Sequence, residues 1–222
     1  MPAAPTGGIV LARTPALIFD FGNVVAFFDY RRACADLGRR AGLSGEDFLE
    51  RLRANGFSDL IRRYERGAID ARAFSQGVSA LAGLEFDHDE FARAWSDIFA
   101  LNEPVARLVE ALRARGYTLV LGSNTNDLHA AQFRGQFAAT LAHFDRLVLS
   151  YEVGAIKPDP AFYRACAEAA EAPPADCLFI DDLPENVAGA EAAGLAAHLF
   201  RDVPTLVADL RSRGVEVDPP GL

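Results

Sequence analysis

Five residues from four distant stretches of the sequence have side chains suited to chemistry on a charged oxygen compound: Asp20, Ser123, Lys157, and the adjacent pair Asp181 and Asp182. Carboxylate oxygens are ligands for hard divalent cations such as Mg²⁺. A hydroxyl group can donate to an oxyanion, and a lysine can offset its charge. Together these groups are suited to phosphoryl transfer. Asp20 is then the candidate nucleophile, because a carboxylate can form an aspartyl-phosphate.

These residues lie at or after the ends of short apolar runs that predict buried strands: "ALIF", "YTLVLGSN", "DRLVLS" and "DCLFIDD". From Asn102 onward, helical patterns alternate with these runs. Such alternation is typical of an α/β fold with a mostly parallel sheet and helices on both faces. Ligands of such sheets bind outside the carboxyl ends of the strands. We therefore expect the chemically capable residues to meet in one crevice.

The segment at 29–101 differs from the rest of the chain, because its patterns are helical throughout. It follows the first predicted strand and interrupts the alternation of strands and helices. We predict a Rossmann-like catalytic core formed by residues 1–28 and 102–222, with a small helical cap at 29–101 inserted after the first strand.

Each candidate residue also has an ordinary structural explanation. Asp20 could cap a turn, the pair Asp181 and Asp182 could cap the following helix, and Lys157 could be a surface residue. The polar run at 123–126 could be a locally bonded turn. Two adjacent carboxylates at a buried strand end repel each other, however, and a divalent cation would relieve that repulsion. Convergence at one sheet edge favours the functional interpretation.

The composition narrows the range of partners. The chain of 222 residues carries a formal net charge of −9, so we expect neither nucleic acid nor a membrane as a partner, since both are anionic. Three widely spaced cysteines form no C-x-x-C pair, and residues 1–15 lack the basic leader of a signal peptide. We expect a cytoplasmic monomer or homodimer that acts on a small molecule.

Four motifs resemble those of the haloacid dehalogenase-like hydrolase superfamily and occur in the same order: "LIFDFGNVV", "LVLGSN", "GAIKPDP" and "LFIDDLPENVAGAEAAG". The helical segment stands where that family has a small cap. More narrowly, the combination that includes "YERGAID" and "SNTNDLH" resembles bacterial sugar-phosphate phosphatases of the α-glucose 1-phosphate type. It is also similar to the phosphatase domain of soluble epoxide hydrolase.

The resemblance implies a magnesium-dependent phosphatase that hydrolyses a small phosphorylated metabolite, expected to be a sugar phosphate. The nucleophile would be Asp20, which would form an aspartyl-phosphate. Mg²⁺ would be held by Asp20, the main-chain carbonyl of Gly22 and Asp182. Asp181 and Asn186 would support the metal site from behind these ligands.

The resemblance also assigns the groups that handle the phosphate. Ser123 and Asn124 would bind phosphate oxygens. Lys157 would offset charge on Asp20 and on the phosphoryl group. These roles are carried over position by position from the motifs and are expectations about this chain.

One position departs from the pattern of the resembled phosphatases. Most of them carry a second aspartate two residues after the nucleophile, which acts as general acid and base, whereas this chain has Gly22 there. General acid–base catalysis contributes roughly 10²–10⁴-fold. His129 or Asp29 could supply the proton instead. Alternatively, a sugar 1-phosphate could need little help, because its leaving oxygen is less basic than an ordinary alkoxide.

Other interpretations remain open at this stage. His129 could be a helix-surface residue, and Asp29 could cap the first helix of the insert. The family's dehalogenases also lack the second aspartate and use no metal, so a metal-independent 2-haloacid dehalogenase-like hydrolase is an alternative. A catalytically weak regulatory or binding protein of the same fold is another.

Overall fold

A parallel sheet lies at the centre of the computed structural model, which describes residues 15–217. The strands are β1 (Ala16–Phe19), β2 (Ala26–Phe28), β3 (Phe99–Leu101), β4 (Leu119–Ser123), β5 (Arg146–Leu149), β6 (Cys177–Asp181) and β7 (Ala196–Leu199). Five of them form the central sheet in the order β5-β4-β1-β6-β7, and every pairing in it is parallel. The predicted α/β fold is confirmed.

A group of helices fills residues 30–96, all of which the structure describes. They are α1 (Tyr30–Arg40), α2 (Gly45–Ala54), α3 (Phe57–Glu65), α4 (Ala71–Ala82) and α5 (His88–Ser96). The expectation that the insert is helical throughout is wrong at its end, where residues 99–101 form β3. This strand pairs antiparallel with β2, a contact between distant residues that local sequence periodicity does not reveal.

The remaining helices cover both faces of the sheet. They are α6 (Glu103–Ala114), α7 (Asp127–Gln136), α8 (Ala138–Leu141), α9 (Ser150–Val153), α10 (Pro160–Ala169), α11 (Pro184–Ala192) and α12 (Val203–Ser212), with a 3₁₀ turn at Pro174–Asp176. In β1, Leu17 and Phe19 pack into one hydrophobic cluster, and Ala16 and Ile18 pack into another. A strand covered on both faces must be apolar at every position, as β1 is.

Aromatic side chains form the interior of the helical insert. The ring of Phe74 stacks on Tyr64, with centroids 4.2 Å apart, and lies 5.0 Å from the ring of Trp95. All three residues are buried. They belong to the same hydrophobic cluster as Leu17 and Phe19 of β1. The insert therefore packs against the core through apolar surface.

The division into a core and a cap at 29–101 stays a prediction. Residues 1–14 and 218–222, which belong to the predicted core and include most of the stretch considered as a leader, lie outside the described residues. Among the residues that are described, no helix is both long enough and apolar enough to cross a membrane.

Phe74→Ala is expected to lower the free energy of unfolding by about 3–5 kcal/mol, because it removes a buried ring and leaves a cavity. Urea titration measures this change. Gln76→Ala, on the exposed side of the same helix, is the matched control and should change stability by about 0.5 kcal/mol or less. Similar losses in both variants would contradict the proposed position of Phe74.

Candidate active site

The chemically capable residues meet at the carboxyl ends of three neighbouring strands. Asp20 directly follows β1, Ser123 ends β4, and Asp181 ends β6. Lys157 enters from the loop before α10. A cavity of about 260 Å³ opens at this edge of the sheet, and its wall includes Asp20, Ser123, Lys157 and Asp182. The parallel order of the strands brings these distant residues together.

Lys157 lies between two carboxylates at the base of the cavity. Its Nζ is 2.7 Å from Asp20 Oδ1 and 2.8 Å from Asp181 Oδ2. All three side chains are almost completely buried. Burial alone would lower the pKa of Lys157, but the charges of Asp20 and Asp181 outweigh it and leave the pKa raised. The lysine is therefore a fixed positive charge against Asp20.

A second contact set holds Lys157 in place. The side chain of Asn124 accepts a hydrogen bond from the Lys157 backbone N–H at 2.8 Å and donates to the Lys157 carbonyl at 3.2 Å. Asn124 therefore orients the lysine loop through its amide group. Ser123, whose Oγ donates to the Asn124 carbonyl at 3.3 Å, is buried beside it.

Three carboxylates form a cluster that fits a divalent cation. Each of Asp20, Asp181 and Asp182 offers an oxygen, and these atoms lie within 4.8 Å of one another. Burial raises the pKa of Asp20 to about 7; Lys157 opposes this rise and Asp181 adds to it. A cation would relieve the repulsion, and a set of oxygen ligands suits Mg²⁺. The residues present thus fit the expected metal.

The two adjacent aspartates differ in their surroundings. Asp181 Oδ1 accepts from the Leu183 N–H and from Asn186 Nδ2, both at 2.9 Å, while its Oδ2 faces Lys157. Both oxygens of Asp181 are thus engaged by protein donors, which suits a supporting position. Asp182 is half-buried and accepts from Asn23 Nδ2 at 3.1 Å.

Comparison with known proteins adds independent evidence on ancestry. The family described as haloacid dehalogenase-like hydrolase matches residues 14–194. A phosphatase of Mycobacterium tuberculosis is 34% identical over 93% of this chain and 98% of its own. The chain belongs to the haloacid dehalogenase-like hydrolase family. The expected family is therefore confirmed, and the similarity to phosphatases supports a hydrolase that acts on phosphate esters.

More distant members of the family extend the comparison. The D-ribitol-5-phosphate phosphatase of Bacteroides thetaiotaomicron is 25% identical over 77% of this chain and 84% of its own. The rat bifunctional epoxide hydrolase 2 is 30% identical over 50% of this chain but only 21% of its own. A solved family enzyme from B. thetaiotaomicron, complexed with magnesium and inorganic phosphate, matches with a TM-score of 0.70. Its 24% identity, over 87% of this chain and 98% of its own, establishes the shared fold.

In this hydrolase, the space beside Gly22 is filled by an aromatic ring. A Cβ atom built on Gly22 would lie 2.9 Å from Cε1 of Phe28 and 3.3 Å from its Cδ1. An aspartate at this position would therefore require Phe28 to move. Phe28 packs edge-on against Tyr30, with ring centroids 5.4 Å apart. The chain thus has glycine at the position of the family's second aspartate, and the ring of Phe28 packs against this glycine.

His129 is not placed as a proton donor to a substrate, although it borders the cavity. Its Nδ1 lies 3.0 Å from Asn126 Nδ2, and its Nε2 lies 3.1 Å from the Trp95 carbonyl. Both ring nitrogens are thus engaged, and the ring stacks on Trp95. Burial lowers the pKa of His129 to about 4, and the hydrogen bond to the Trp95 carbonyl opposes this decrease. The ring nitrogens of His129 are therefore not available to give a proton to a substrate. His129 is also buried, so the alternative interpretation as a helix-surface residue is wrong.

Asp29 serves as the cap of α1. Its side chain accepts from the Arg31 N–H at 3.0 Å, and the Arg31 guanidinium also pairs with it. Hydrogen bonds from Arg31 hold the pKa of Asp29 below its usual value. A carboxyl group held in its charged form cannot donate a proton, and this contradicts the expectation that Asp29 serves as the acid.

Sequence reasoning did not assign a role to Glu65, which ends α3 and lines the same cavity as Asp20. Burial raises the pKa of Glu65 to about 7, and Lys157 opposes this rise. The residue lies in the quoted motif "YERGAID". Nothing in the local sequence distinguishes this glutamate from other charged residues of the helical segment. Its place beside the sheet edge depends on how distant parts of the chain pack together.

The buried, neutral His129 predicts a loss of stability in acid. Its pKa is lowered from 6.5 in the unfolded chain to about 4, so the unfolded state binds the proton first as pH falls. The neutral His129 therefore contributes to the free energy of unfolding above pH 6.5, and this contribution is lost as pH falls through 4. The total loss is on the order of 3 kcal/mol. Urea midpoints at a series of pH values measure it.

His129→Gln should remove this part of the acid sensitivity, although it will lower stability at neutral pH. His143→Gln, at a partly exposed histidine after α8, is the matched control and should keep the wild-type pH dependence. An unchanged pH profile in His129→Gln would contradict the buried, neutral state.

Proposed function

We propose that this protein is a magnesium-dependent phosphatase that hydrolyses a small phosphorylated metabolite through an aspartyl-phosphate at Asp20. The observation that carries the proposal is the contact of Lys157 with Asp20 at 2.7 Å, inside a cluster of three carboxylates. The pairing favours the charged form of Asp20 and fixes its carboxylate at the end of β1, where a phosphoryl group would bind. The relatives named as phosphatases support the same class of reaction.

In this proposal Asp20 attacks phosphorus, and its own contacts prepare it. Its Oδ1 accepts from Lys157 and from the Phe21 N–H, both at 2.7 Å. These donors leave Oδ2 for attack. Ser123 and Asn124 would bind phosphate oxygens at the end of β4, with Asn124 using donors other than the N–H that holds the Lys157 carbonyl. Lys157 offsets the charge that builds up as the ester bond breaks.

Asp20, the Gly22 carbonyl and Asp182 would hold Mg²⁺, with Asp181 and Asn186 as supports. When bound, the metal would offset negative charge on the phosphoryl oxygens. Asp181 keeps Lys157 and Asn186 in position through its two oxygens. The protein's own part is to hold Asp20 and the lysine at a fixed distance before substrate arrives.

We infer a sugar phosphate or polyol phosphate as the substrate class. The cavity of about 260 Å³ has room for a phosphate group with a small organic part. Among the relatives, one is named for D-ribitol 5-phosphate. We also retain the predictions that the protein is cytoplasmic and acts as a monomer or homodimer.

The dehalogenase alternative is less well supported. A carbon-directed enzyme that uses no metal has no need for three carboxylates within 4.8 Å of one another. A binding or regulatory protein of the same fold could use the same cluster to hold a metal ion, so turnover of a phosphate ester is the property that separates the two roles.

The test is release of inorganic phosphate from p-nitrophenyl phosphate and from a panel of sugar and polyol phosphates. Activity is expected with Mg²⁺ and should vanish after EDTA treatment. Asp20→Asn should reduce kcat by several orders of magnitude, because it removes the nucleophile. Asp59→Asn, on the exposed face of α3, is the matched control and should keep wild-type activity.

Two outcomes would overturn the proposal. Chloride release from 2-chloropropionate in the presence of EDTA would identify a dehalogenase. Failure to hydrolyse every phosphate ester in the panel with Mg²⁺ would indicate a binding or regulatory protein.

A further inference from the structure

The helical insert contributes a carboxyl group to the wall of the active-site cavity. The position two residues after Asp20, which is Gly22, has none. Glu65 lines this cavity together with Asp20 and Lys157. It comes from α3 of the insert, whereas Asp20 and Lys157 come from the sheet edge. A substrate bound against Asp20 would therefore occupy a cavity whose wall includes Glu65.

The main chain at Glu65 is anchored to the core. Ser150 Oγ donates to the Glu65 carbonyl at 2.6 Å, and the hydroxyl of Tyr64 contacts the carboxylate of Asp127. Two residues further on, Gly67 has a φ of +70° and packs so closely on Tyr151 that a Cβ would lie 2.3 Å from the Tyr151 carbonyl. These contacts fix the position of Glu65 relative to the sheet edge.

The surroundings of Glu65 bring the pKa of its carboxyl group close to neutral pH. Burial raises its pKa to about 7, and Lys157 holds it from rising further. Glu65 lines the active-site cavity and also a second cavity on the side of the insert. The other titratable and charged residues that line these two cavities are Asp20, Lys157, Asp182 and His129 from the core, and Tyr30, Cys34, Arg53 and Arg62 from the insert. A pKa near the working pH is what a group that both gives and takes a proton requires.

We propose that Glu65 is the general acid and base of the reaction, in place of the aspartate that Gly22 replaces. The inference rests on the proposed phosphatase function. His129 and Asp29 have their proton-carrying atoms engaged by Asn126, Trp95 and Arg31. Phe28 occupies the space beside Gly22. Glu65 is the carboxylic acid that the insert contributes to the lining of this cavity among the described residues.

The proton balance closes in two steps. As Asp20 attacks phosphorus, the bond between phosphorus and the ester oxygen breaks, and that oxygen takes the proton of Glu65. The Glu65 carboxylate then takes a proton from water, whose oxygen attacks phosphorus. The bond to Asp20 breaks, inorganic phosphate leaves, and Glu65 is again protonated.

Glu65→Gln provides the test, with the Mg²⁺-loaded enzyme in single turnovers. p-Nitrophenolate leaves without a proton, so its release should be retained. Cleavage of a polyol phosphate, whose leaving alkoxide oxygen is strongly basic, should fall by about 10²–10⁴-fold. In multiple turnovers, p-nitrophenyl phosphate should show a burst, because water attack also needs the base.

Glu50→Gln, an exposed position on α2, makes the same change of charge on the cap and should behave as wild type. Glu65→Asp keeps a carboxyl group and should recover part of the activity that Glu65→Gln loses on the polyol phosphate. Thermal denaturation of each variant checks that the cap remains folded.

Equal loss on both substrates, loss on neither, or a higher KM with unchanged kcat on the polyol phosphate would overturn the role of Glu65. None of these results would affect the proposed function, provided that the wild type hydrolyses p-nitrophenyl phosphate and Asp20→Asn does not. An inactive wild type would instead reject the proposed function itself.

Discussion

The contact of buried Lys157 with Asp20 and Asp181 is the interaction on which the candidate site depends. A buried charge without a partner is costly, and removing one member of such a group leaves the others uncompensated. Here the lysine neutralises part of the repulsion among carboxylates that the sheet brings together. It therefore stabilises the fold and favours the charged form of the candidate nucleophile, against the effect of burial.

The sheet topology explains why these charges can be placed so closely. β1 is central, with β4 on one side and β6 on the other, so three strand ends meet around Asp20. The strands below are apolar on both faces and packed between helices. A rigid apolar base lets the polar ends keep a fixed geometry, which electrostatic stabilisation of a reaction requires.

The helical insert contributes to the same site through a few local contacts. Its aromatic interior is continuous with one face of the core. Close to the cavity, the Tyr64 and Ser150 hydroxyls connect the end of α3 to the core. In our proposal the wall that covers the substrate also supplies the proton, so covering and proton transfer depend on the same helix end. The ring of Phe28 beside Gly22 belongs to the same arrangement.

Much of this protein follows from its sequence alone. The apolar runs predicted the parallel strands, and the rule that parallel strands end at one edge predicted that Asp20, Ser123, Lys157 and Asp181 meet. The pairing of β3 with β2 and the states of His129, Asp29 and Glu65 were decided by the tertiary structure. A strand pairing needs a distant partner, and a proton affinity depends on burial and neighbouring charges. Local residue patterns carry neither kind of information, so a carboxyl group can be a helix cap with a lowered pKa at Asp29 and part of a cavity wall with a raised pKa at Glu65.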